Sequence, residues 1–288
     1  MFSPRTDLAA EARARFSGRL EGASLEKSSL RGFPVTDVRV STEKAAETLC
    51  KPIGEYVTVD VGRLLRRESE AFQDGSLALA DCIRRLMPLE PGRSVLVVGL
   101  GNPAITPDAV GHLALKSVLV TYHMKDDPAF AAFRPVAAFE PGVLGTSGVE
   151  SARTVEALAR ELRPDALIAV DALAALSTDR LCSTVQLTDT GIVPGSGVGN
   201  ARQELSSRTL GVPVLAVGVP TVVDAASLCA DLLSAAGADL PDLGSAGRMM
   251  VTPRDIDAAV QDISKLVGYG IDLALHEGLT CGDLDMLL

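Results

Sequence analysis

Two aspartates in this chain of 288 residues have surroundings that favour chemistry. Asp171 ends the apolar run 166–170, which has the composition of a buried strand. Asp108 stands in the sequence TPDAVG, within the first turn of a predicted helix. Because an unpaired carboxylate is costly to bury, such a residue has a partner, lies at a strand end or takes part in chemistry. Helix capping by Asp108 and structural pairing of Asp171 are the alternatives.

A pair of aspartates supports one well-defined kind of catalysis. Two carboxyl groups that lie close together share a proton because they cannot both ionise, so one activates water while the other protonates a leaving group. Both Asp108 and Asp171 follow predicted strands. Since ligands of open α/β sheets bind beyond the carboxyl ends of the strands, the two aspartates are candidates for such a pair.

A metal site is the alternative use of Asp108. His112 lies four residues after Asp108, so both side chains can share one helix face and hold a metal ion. The chain has three histidines, and none lies in a motif that pairs it with a nucleophile. The five cysteines are far apart and lack CxxC spacing, which indicates neither a zinc site nor a disulfide framework. We therefore predict no cofactor, with a metal held by Asp108 and His112 as the alternative.

Glycine-rich segments lie beside these candidates. The segment GLGNPA (99–104) begins like a dinucleotide-binding fingerprint, but Ala104 occupies the position of the third glycine. It favours a tight turn between a strand and a helix, and a nucleotide-binding module is the alternative. The segment GSGVGN (195–200) lacks the lysine of a phosphate-binding loop. It fits either a flexible turn or a loop of backbone amides that holds a substrate.

The elements that must position these residues indicate an α/β fold. Hydrophobic residues make up 47% of the chain, aromatic residues make up 3% and tryptophan is absent, as is typical of buried strands wrapped by helices. A mixed or mostly parallel sheet flanked by helices follows from the alternation of strand and helix patterns after residue 65. Loops after four of the strands are expected to gather at one edge of this sheet. The region up to about residue 65 is polar and predicts an N-terminal subdomain.

The pattern gives bounds for most elements. Strands are predicted at Thr36–Val40, Tyr56–Asp60, 95–102, Val118–Tyr122, Val136–Phe139, Ala166–Asp171, Thr184–Thr188 and Val214–Val217. Helices are predicted at Glu68–Leu86, from Thr106, at Val149–Leu162, from Val222 to about Ala235, and from Thr252 to the region of His276.

Charge and hydropathy exclude several classes of function. The formal net charge of -10 argues against binding to the phosphate backbone of nucleic acid. The first residues lack the apolar stretch of a signal peptide, and no apolar run is long enough to span a bilayer. We therefore expect a cytoplasmic protein without nucleic-acid or membrane contacts.

Long segments of the chain resemble the germination proteases of spore-forming bacteria. The resemblance is carried by RTDLAAEA, KPIGEYVTVD, ITPDAVG, FRPVAAFEPGVLGTSGVE, PDALIAVDALAA, QLTDTGIVPGSGVGN and TLGVPVLAVGVPTVVDA, in the order of the family. It implies an aspartic-type endopeptidase that degrades small acid-soluble, DNA-protecting spore proteins in the forespore or spore core. It also implies a fold similar to the hydrogenase-maturation peptidases, a homo-oligomer that is a tetramer in the family, and catalytic roles for Asp108 and Asp171.

The resemblance further implies a zymogen that processes itself. The cut follows an acidic residue and precedes an apolar one, a pattern that falls on Asp7 and Leu8. Residues 1–7 are therefore predicted as a propeptide and residues 8–288 as a single peptidase domain.

These inferences combine into one mechanism. The pair Asp108 and Asp171 activates a water that attacks a peptide carbonyl, while backbone amides of two glycine loops bind the substrate or the oxyanion. A metal-dependent peptidase of the hydrogenase-maturation type is the alternative enzyme. The predicted substrate-binding residues are Gly145, Gly148, Gly195, Gly197, Gly199 and Asn200.

Overall fold

A mixed sheet organises the chain in the computed structural model, which describes residues 6–16, 18, 20–195, 203–235 and 243–288. Its strands are β1 (Ala23–Leu30), β2 (Phe33–Val40), β3 (Gly54–Asp60), β4 (Val95–Gly99), β5 (Val136–Phe139), β6 (Ala166–Ala175), β7 (Thr184–Thr188), β8 (Val214–Asp224) and β9 (Met250–Val251). The helices are α1 (Ala9–Ala14), α2 (Glu43–Leu49), α3 (Gly62–Leu65), α4 (Ala71–Leu86), α5 (Val110–Leu115), α6 (Leu144–Ser147), α7 (Ser151–Leu162), α8 (Ser207–Leu210), α9 (Ala225–Ala235), α10 (Ile256–Leu275) and α11 (Cys281–Leu287).

The sheet joins a parallel half to an antiparallel half. The strand order is β1-β2-β3-β7-β8-β6-β4-β5, and β9 pairs with β8 outside this path. Strands β8, β6, β4 and β5 run parallel, whereas β1, β2, β3 and β7 pair antiparallel with their neighbours. The α/β class with a mixed sheet is therefore confirmed. The region before residue 65 extends this sheet through the pairing of β3 with β7.

Helices cover the parallel half on both faces. Ile168 and Val170 of β6 face a large apolar cluster with residues of α4 and α10, while Leu167 and Ala169 face a smaller cluster with residues of α7. Because both faces are buried, the strand is apolar at nearly every position instead of alternating. Asp171 interrupts this pattern.

The segment 118–122, predicted as a strand, does not form one. It contains a turn and the start of a 3-10 helix at Tyr122–Met124. The backbone N–H of Leu119 donates to both carboxyl oxygens of Asp272, at 3.0 and 2.9 Å, so that N–H is engaged outside any strand ladder. A tertiary contact has overridden the strand propensity of the sequence.

The strands β6 and β8 are longer than predicted. Strand β6 continues to Ala175 and β8 to Asp224, so residues 222–224 belong to a strand and the following helix begins at Ala225. The carboxylate of Asp224 accepts a hydrogen bond from the N–H of Ala226 at 2.8 Å, near the start of that helix. The helix predicted from Thr106 is likewise divided into a 3-10 turn, Thr106–Asp108, and α5.

The loop that follows β7 corrects the prediction that four loops gather at one edge. Strand β7 runs antiparallel to β8, so its last residue, Thr188, lies opposite Ala216 near the beginning of β8. The loop therefore leaves the sheet at the end opposite to the loops after β4, β6 and β8. It then folds back, because Ile192 forms a bridge with Leu205 and packs beside Leu173 and other residues of its cluster.

Two buried titratable groups lie near the end of the long helix α10, Asp272 within it and His276 directly after it. Burial raises the pKa of Asp272 to about 8. One turn later, burial and the nearby charge of Arg134 lower the pKa of His276 to about 4. At neutral pH, therefore, both buried side chains are uncharged.

The raised pKa of Asp272 predicts a pH dependence of stability. The folded state keeps this proton up to about pH 8, whereas an unfolded chain loses it near pH 4. The free energy of unfolding therefore falls as pH rises through this window, by at most about 1.4 kcal/mol per pH unit for one proton. We expect Asp272→Asn to reduce this fall in the free energy of unfolding with pH, as measured by urea unfolding. The measurement is made above the pKa of a free histidine, because His276 there contributes little to the pH dependence.

Asp257→Asn is the matched control, because Asp257 is exposed in the first turn of the same helix. If Asp272→Asn and the control lose stability in parallel with the unsubstituted chain as pH rises, Asp272 does not hold its proton in the folded state.

Candidate active site

Asp171 lies in the part of β6 that extends beyond the end of its neighbour β4. The two strands pair from Val95 opposite Ala166 to Gly99 opposite Val170, and β4 ends there. Asp171 is thus the first residue of β6 beyond β4, and on its other side it pairs with Gly218 of β8. It is inside the strand, not at its end as predicted, and is 5% exposed. The N–H of Ala172 donates to its Oδ1 at 2.9 Å.

Asp108 is held at the same end of the sheet by the chain that leaves β4. This chain turns through Gly101 and enters the 3-10 turn Thr106–Asp108, which contacts both β6 and β8. The backbone N–H of Asn102 donates to Asp108 Oδ2 at 2.8 Å. The half-buried carboxylate is therefore oriented by the backbone of its own loop. The structure brings the Asp108 turn and the strand that carries Asp171 together.

Two glycines allow this close packing. Gly101 has a φ of +97°, and a Cβ there would lie 2.0 Å from the carbonyl oxygen of Asp108. A Cβ at Gly111, in α5, would lie 2.4 Å from the N of Leu100 and 2.6 Å from the carbonyl oxygen of Val170. The backbones of the turn and of α5 thus approach β4 and β6 more closely than any side chain permits. This geometry favours the interpretation of GLGNPA as a tight turn.

Thr221 of β8 forms a hydrogen bond with the turn Thr106–Asp108. The pairing of β6 with β8 skips this residue, because Leu173 lies opposite Pro220 and Ala174 lies opposite Val222. The fully buried Thr221 Oγ1 donates to the carbonyl oxygen of Pro107 at 2.6 Å. Sequence reasoning missed this residue; the signal was a lone hydroxyl in the apolar run VGVPTVV.

His112 contacts a glutamate. Its Nδ1 lies 2.8 Å from Oε2 of Glu140, which follows β5. Within the part of the chain that the structure describes, no three or more His, Cys, Asp or Glu side chains are grouped so that they could hold a metal ion. The described residues therefore supply no third ligand for a metal ion held by Asp108 and His112.

The structure describes the two predicted substrate-binding glycine loops to different extents. Gly145 and Gly148 are exposed, and the N–H of Gly148 donates to the carbonyl oxygen of Leu144 at 2.8 Å, which closes the short helix α6. Gly195 is the last described residue of its loop. Gly197, Gly199 and Asn200 lie outside the described residues. Substrate binding by these loops stays a prediction.

A cavity of about 740 Å³ opens beside the sheet. It is bordered by β3, β7, β8 and the end of β6, and it reaches Gly218, the residue paired with Asp171. Its polar lining includes Gln186 and Lys51, neither of which was singled out from the sequence. Gln186 gave only a weak signal, as one amide in the strand TVQLT.

The N-terminal segment borders this cavity at the predicted processing site. The N–H of Asp7 donates to the carbonyl oxygen of Ala174 at 2.9 Å, and the N–H of Ala174 donates to Asp7 Oδ2 at 2.8 Å. Leu8 is fully buried among Leu173, Ala175 and neighbouring apolar residues. The bond between Asp7 and Leu8 is thus held against the part of β6 that follows Asp171.

Known proteins are similar in sequence to this chain over nearly its whole length. The sequence model of the germination proteases matches residues 5–236. A germination protease of Caldanaerobacter subterraneus is 36% identical over 316 aligned residues, which cover 99% of this chain and 98% of that protein. Those of Clostridium perfringens and Clostridium tetani are 33% and 35% identical and cover 100% and 99% of this chain.

This chain belongs to the germination protease family. As a member of that family it is a peptidase, which confirms the enzyme class expected from the sequence at this level. Among the helices that the structure describes, none combines the length and apolar character needed to cross a membrane.

The close approach at Gly101 predicts a specific loss. Gly101→Ala forces the carbonyl of Asp108 to move, so we expect it to abolish most peptidase activity and to destabilise the fold by roughly 1–3 kcal/mol, the cost of local backbone strain. Gly92→Ala is the matched control, because Gly92 also has a positive φ, +76°, but a Cβ there meets nothing within 4 Å. Denaturant unfolding and peptide cleavage measure both. Equal effects of the two substitutions would mean that packing on Asp108 is unimportant.

Proposed function

We propose that this member of the germination protease family is an endopeptidase that degrades small acid-soluble, DNA-protecting spore proteins in the spore core during germination, and that Asp108 and Asp171 form its catalytic pair. The observation that carries the proposal is the convergence of the elements that carry the two residues: the turn that ends in Asp108 packs on β6, in which Asp171 is the first residue beyond β4. The buried Asp171 pairs with Gly218, which lines the cavity, and buried carboxyl groups near cavities are typical sites of general acid and base catalysis.

The proposed reaction needs one proton shared between the two carboxyl groups. The ionised aspartate takes a proton from water, and the resulting hydroxide attacks the peptide carbonyl. The protonated aspartate then delivers its proton to the leaving amine, which breaks the C–N bond. Backbone N–H groups from Asn102 and Ala172 each bind one oxygen of these carboxyl groups and fix their orientation.

The cavity is consistent with extended protein substrates. It lies along several strands and is bordered by backbone and side-chain hydrogen-bonding groups, so it suits a chain without fixed structure better than a folded surface. Small proteins that are disordered when released from DNA meet this requirement. Assembly as a homo-oligomer, a tetramer in the family, belongs to the same proposal, and sedimentation measures it.

The aspartate pair predicts the effect of charge-neutral substitutions. Asp108→Asn and Asp171→Asn each keep the shape of the side chain but remove the exchangeable proton, so we expect each to lower peptide cleavage at least about 100-fold, at the lower end of the effect of a general acid or base. Activity is measured on an unfolded spore-protein substrate, and folding is verified by thermal unfolding.

Asp257→Asn serves as the control, since Asp257 is exposed on α10. Substantial cleavage by folded Asp108→Asn or Asp171→Asn would contradict the catalytic pair. Loss of wild-type activity in a chelator, with recovery on adding a divalent metal, would favour the metal-dependent alternative with Asp108 and His112.

The burial of Leu8 predicts how the chain processes itself. Because the Asp7–Leu8 bond is packed against β6, self-cleavage is expected to be intramolecular, with a rate independent of protein concentration. Mild acid favours the singly protonated aspartate pair, so incubation there is expected to yield a chain that starts at Leu8. N-terminal sequencing and mass measurement over time follow the conversion.

Asp171→Asn provides the control for this experiment. We expect it to remain unprocessed even when mixed with wild-type protein, since its bond is not accessible to a second molecule. An unchanged N-terminus in an active wild-type preparation would show that the chain needs no processing.

A further inference from the structure

Gln186 of β7 binds the N-terminal segment with both atoms of its side-chain amide. The N–H of Ala9 donates to Gln186 Oε1 at 2.7 Å, and Gln186 Nε2 donates to the carbonyl oxygen of Asp7 at 3.0 Å. The orientation of the amide is fixed, because a backbone N–H can only donate and a carbonyl can only accept. Gln186 is 5% exposed, and its bond with the N–H of Ala9 is buried.

The other contacts of the segment immobilise the groups on both sides of this peptide unit. Asp7 exchanges two hydrogen bonds with Ala174 of β6, as described above, and Nζ of Lys51 donates to the carbonyl oxygen of Thr6 at 3.0 Å. Leu8 and Ala9 are fully buried. The bond between Asp7 and Leu8 is therefore held on both sides, and Gln186 contacts the carbonyl at which cleavage would take place.

Gln186 also shares a row of the sheet with Asp171. Gln186 pairs with Gly218 of β8, and Gly218 pairs with Asp171 of β6. Side chains in one cross-strand row project to the same face, and two strand spacings separate the outer Cα atoms by about 10 Å. Gly218 contributes no side chain between them, and the side chain of Leu173, which belongs to the same apolar cluster as Leu8, lies over it: a Cβ at Gly218 would lie 2.4 Å from Cδ1 of Leu173.

We propose that Gln186 positions the Asp7 carbonyl for self-cleavage and donates a hydrogen bond to its oxygen as negative charge develops there. Water adds to the carbonyl carbon, the C–N bond to Leu8 breaks, and the nitrogen of Leu8 takes a proton from the aspartate pair. The products are the carboxylate of Asp7 and the amine of Leu8, while the bond from Ala9 to Gln186 persists. This inference rests on the proposed self-processing and adds a residue to it.

Two substitutions separate hydrogen bonding from packing. Gln186→Met keeps the length of the side chain but removes the donor, so we expect self-cleavage to slow roughly 100-fold, as for the loss of one oxyanion donor. Gln186→Glu restores the donor only when the introduced carboxyl is protonated. Its self-cleavage is therefore expected to approach the wild-type rate in acid and to fall as pH rises through the pKa of that carboxyl, in addition to any fall that the wild type shows when its aspartate pair loses the shared proton.

Thr184→Val is the matched control in the same strand. It removes a buried hydrogen bond, from Thr184 Oγ1 to the carbonyl oxygen of Arg180 at 3.2 Å, without touching the N-terminal segment. Conversion is followed by mass spectrometry across pH, and denaturant unfolding verifies that each variant is folded.

The outcomes distinguish this inference from the proposed function. If the wild type converts, two results would show that the role of Gln186 is wrong while self-processing stands. One is conversion of Gln186→Met at the wild-type rate. The other is a Gln186→Glu variant that shows the wild-type pH profile or does not convert at any pH. If the wild type itself does not convert, self-processing fails and the role of Gln186 fails with it.

Discussion

The difference in length between β4 and β6 is the constraint on which the site depends. Beyond Val170, β6 has no β4 residue beside it, and the chain that leaves β4 turns back through Gly101 to bring Asp108 against the sheet. Had β4 continued, its residues would occupy the space in which the turn lies. A buried carboxylate in β6 is compatible with the fold because its neighbour on one side is a turn and on the other a glycine.

The same difference leaves backbone groups of β6 that need other partners, and the N-terminal segment supplies some of them. Asp7 bonds to the N–H and carbonyl of Ala174, and the carboxylate of Glu11 accepts hydrogen bonds from the N–H groups of Leu176 and Ser177 at 2.7 and 3.0 Å. Buried backbone groups must be paired, so this segment is part of the fold as well as a candidate substrate. Among the described residues, loss of Thr6 and Asp7 would leave α1 and its apolar contacts in place and would free the groups bound to those two residues.

The sequence was sufficient to predict the features that depend on local pattern. The apolar run before Asp171 and the glycines around GLGN indicated a strand and a tight turn at one end of a sheet, where the structure has them. The sequence was insufficient where contacts between residues far apart in the chain determine the structure. The pairing of Leu119 with Asp272 and the contact of Gln186 with Asp7 and Ala9 join residues more than 150 positions apart, which no local periodicity reveals. The antiparallel direction of β7 was hidden by the predicted end of the preceding strand at Asp171, which left twelve residues before Thr184; β6 continues to Ala175, and residues 176–183 are too few for the crossover that a parallel strand requires.

Backbone packing, more than side-chain packing, sets the geometry around the two aspartates. At Gly101 and Gly111, an added Cβ would lie 2.4 Å or less from a backbone atom. Such contacts leave few alternative arrangements, because the main chain cannot change rotamer as a side chain can. A rigid frame of this kind suits general acid and base catalysis, since small displacements of the reacting groups lower the rate strongly. In the proposed reaction the peptide is then the partner that moves, and the groups that hold the peptide determine which bond meets the two aspartates.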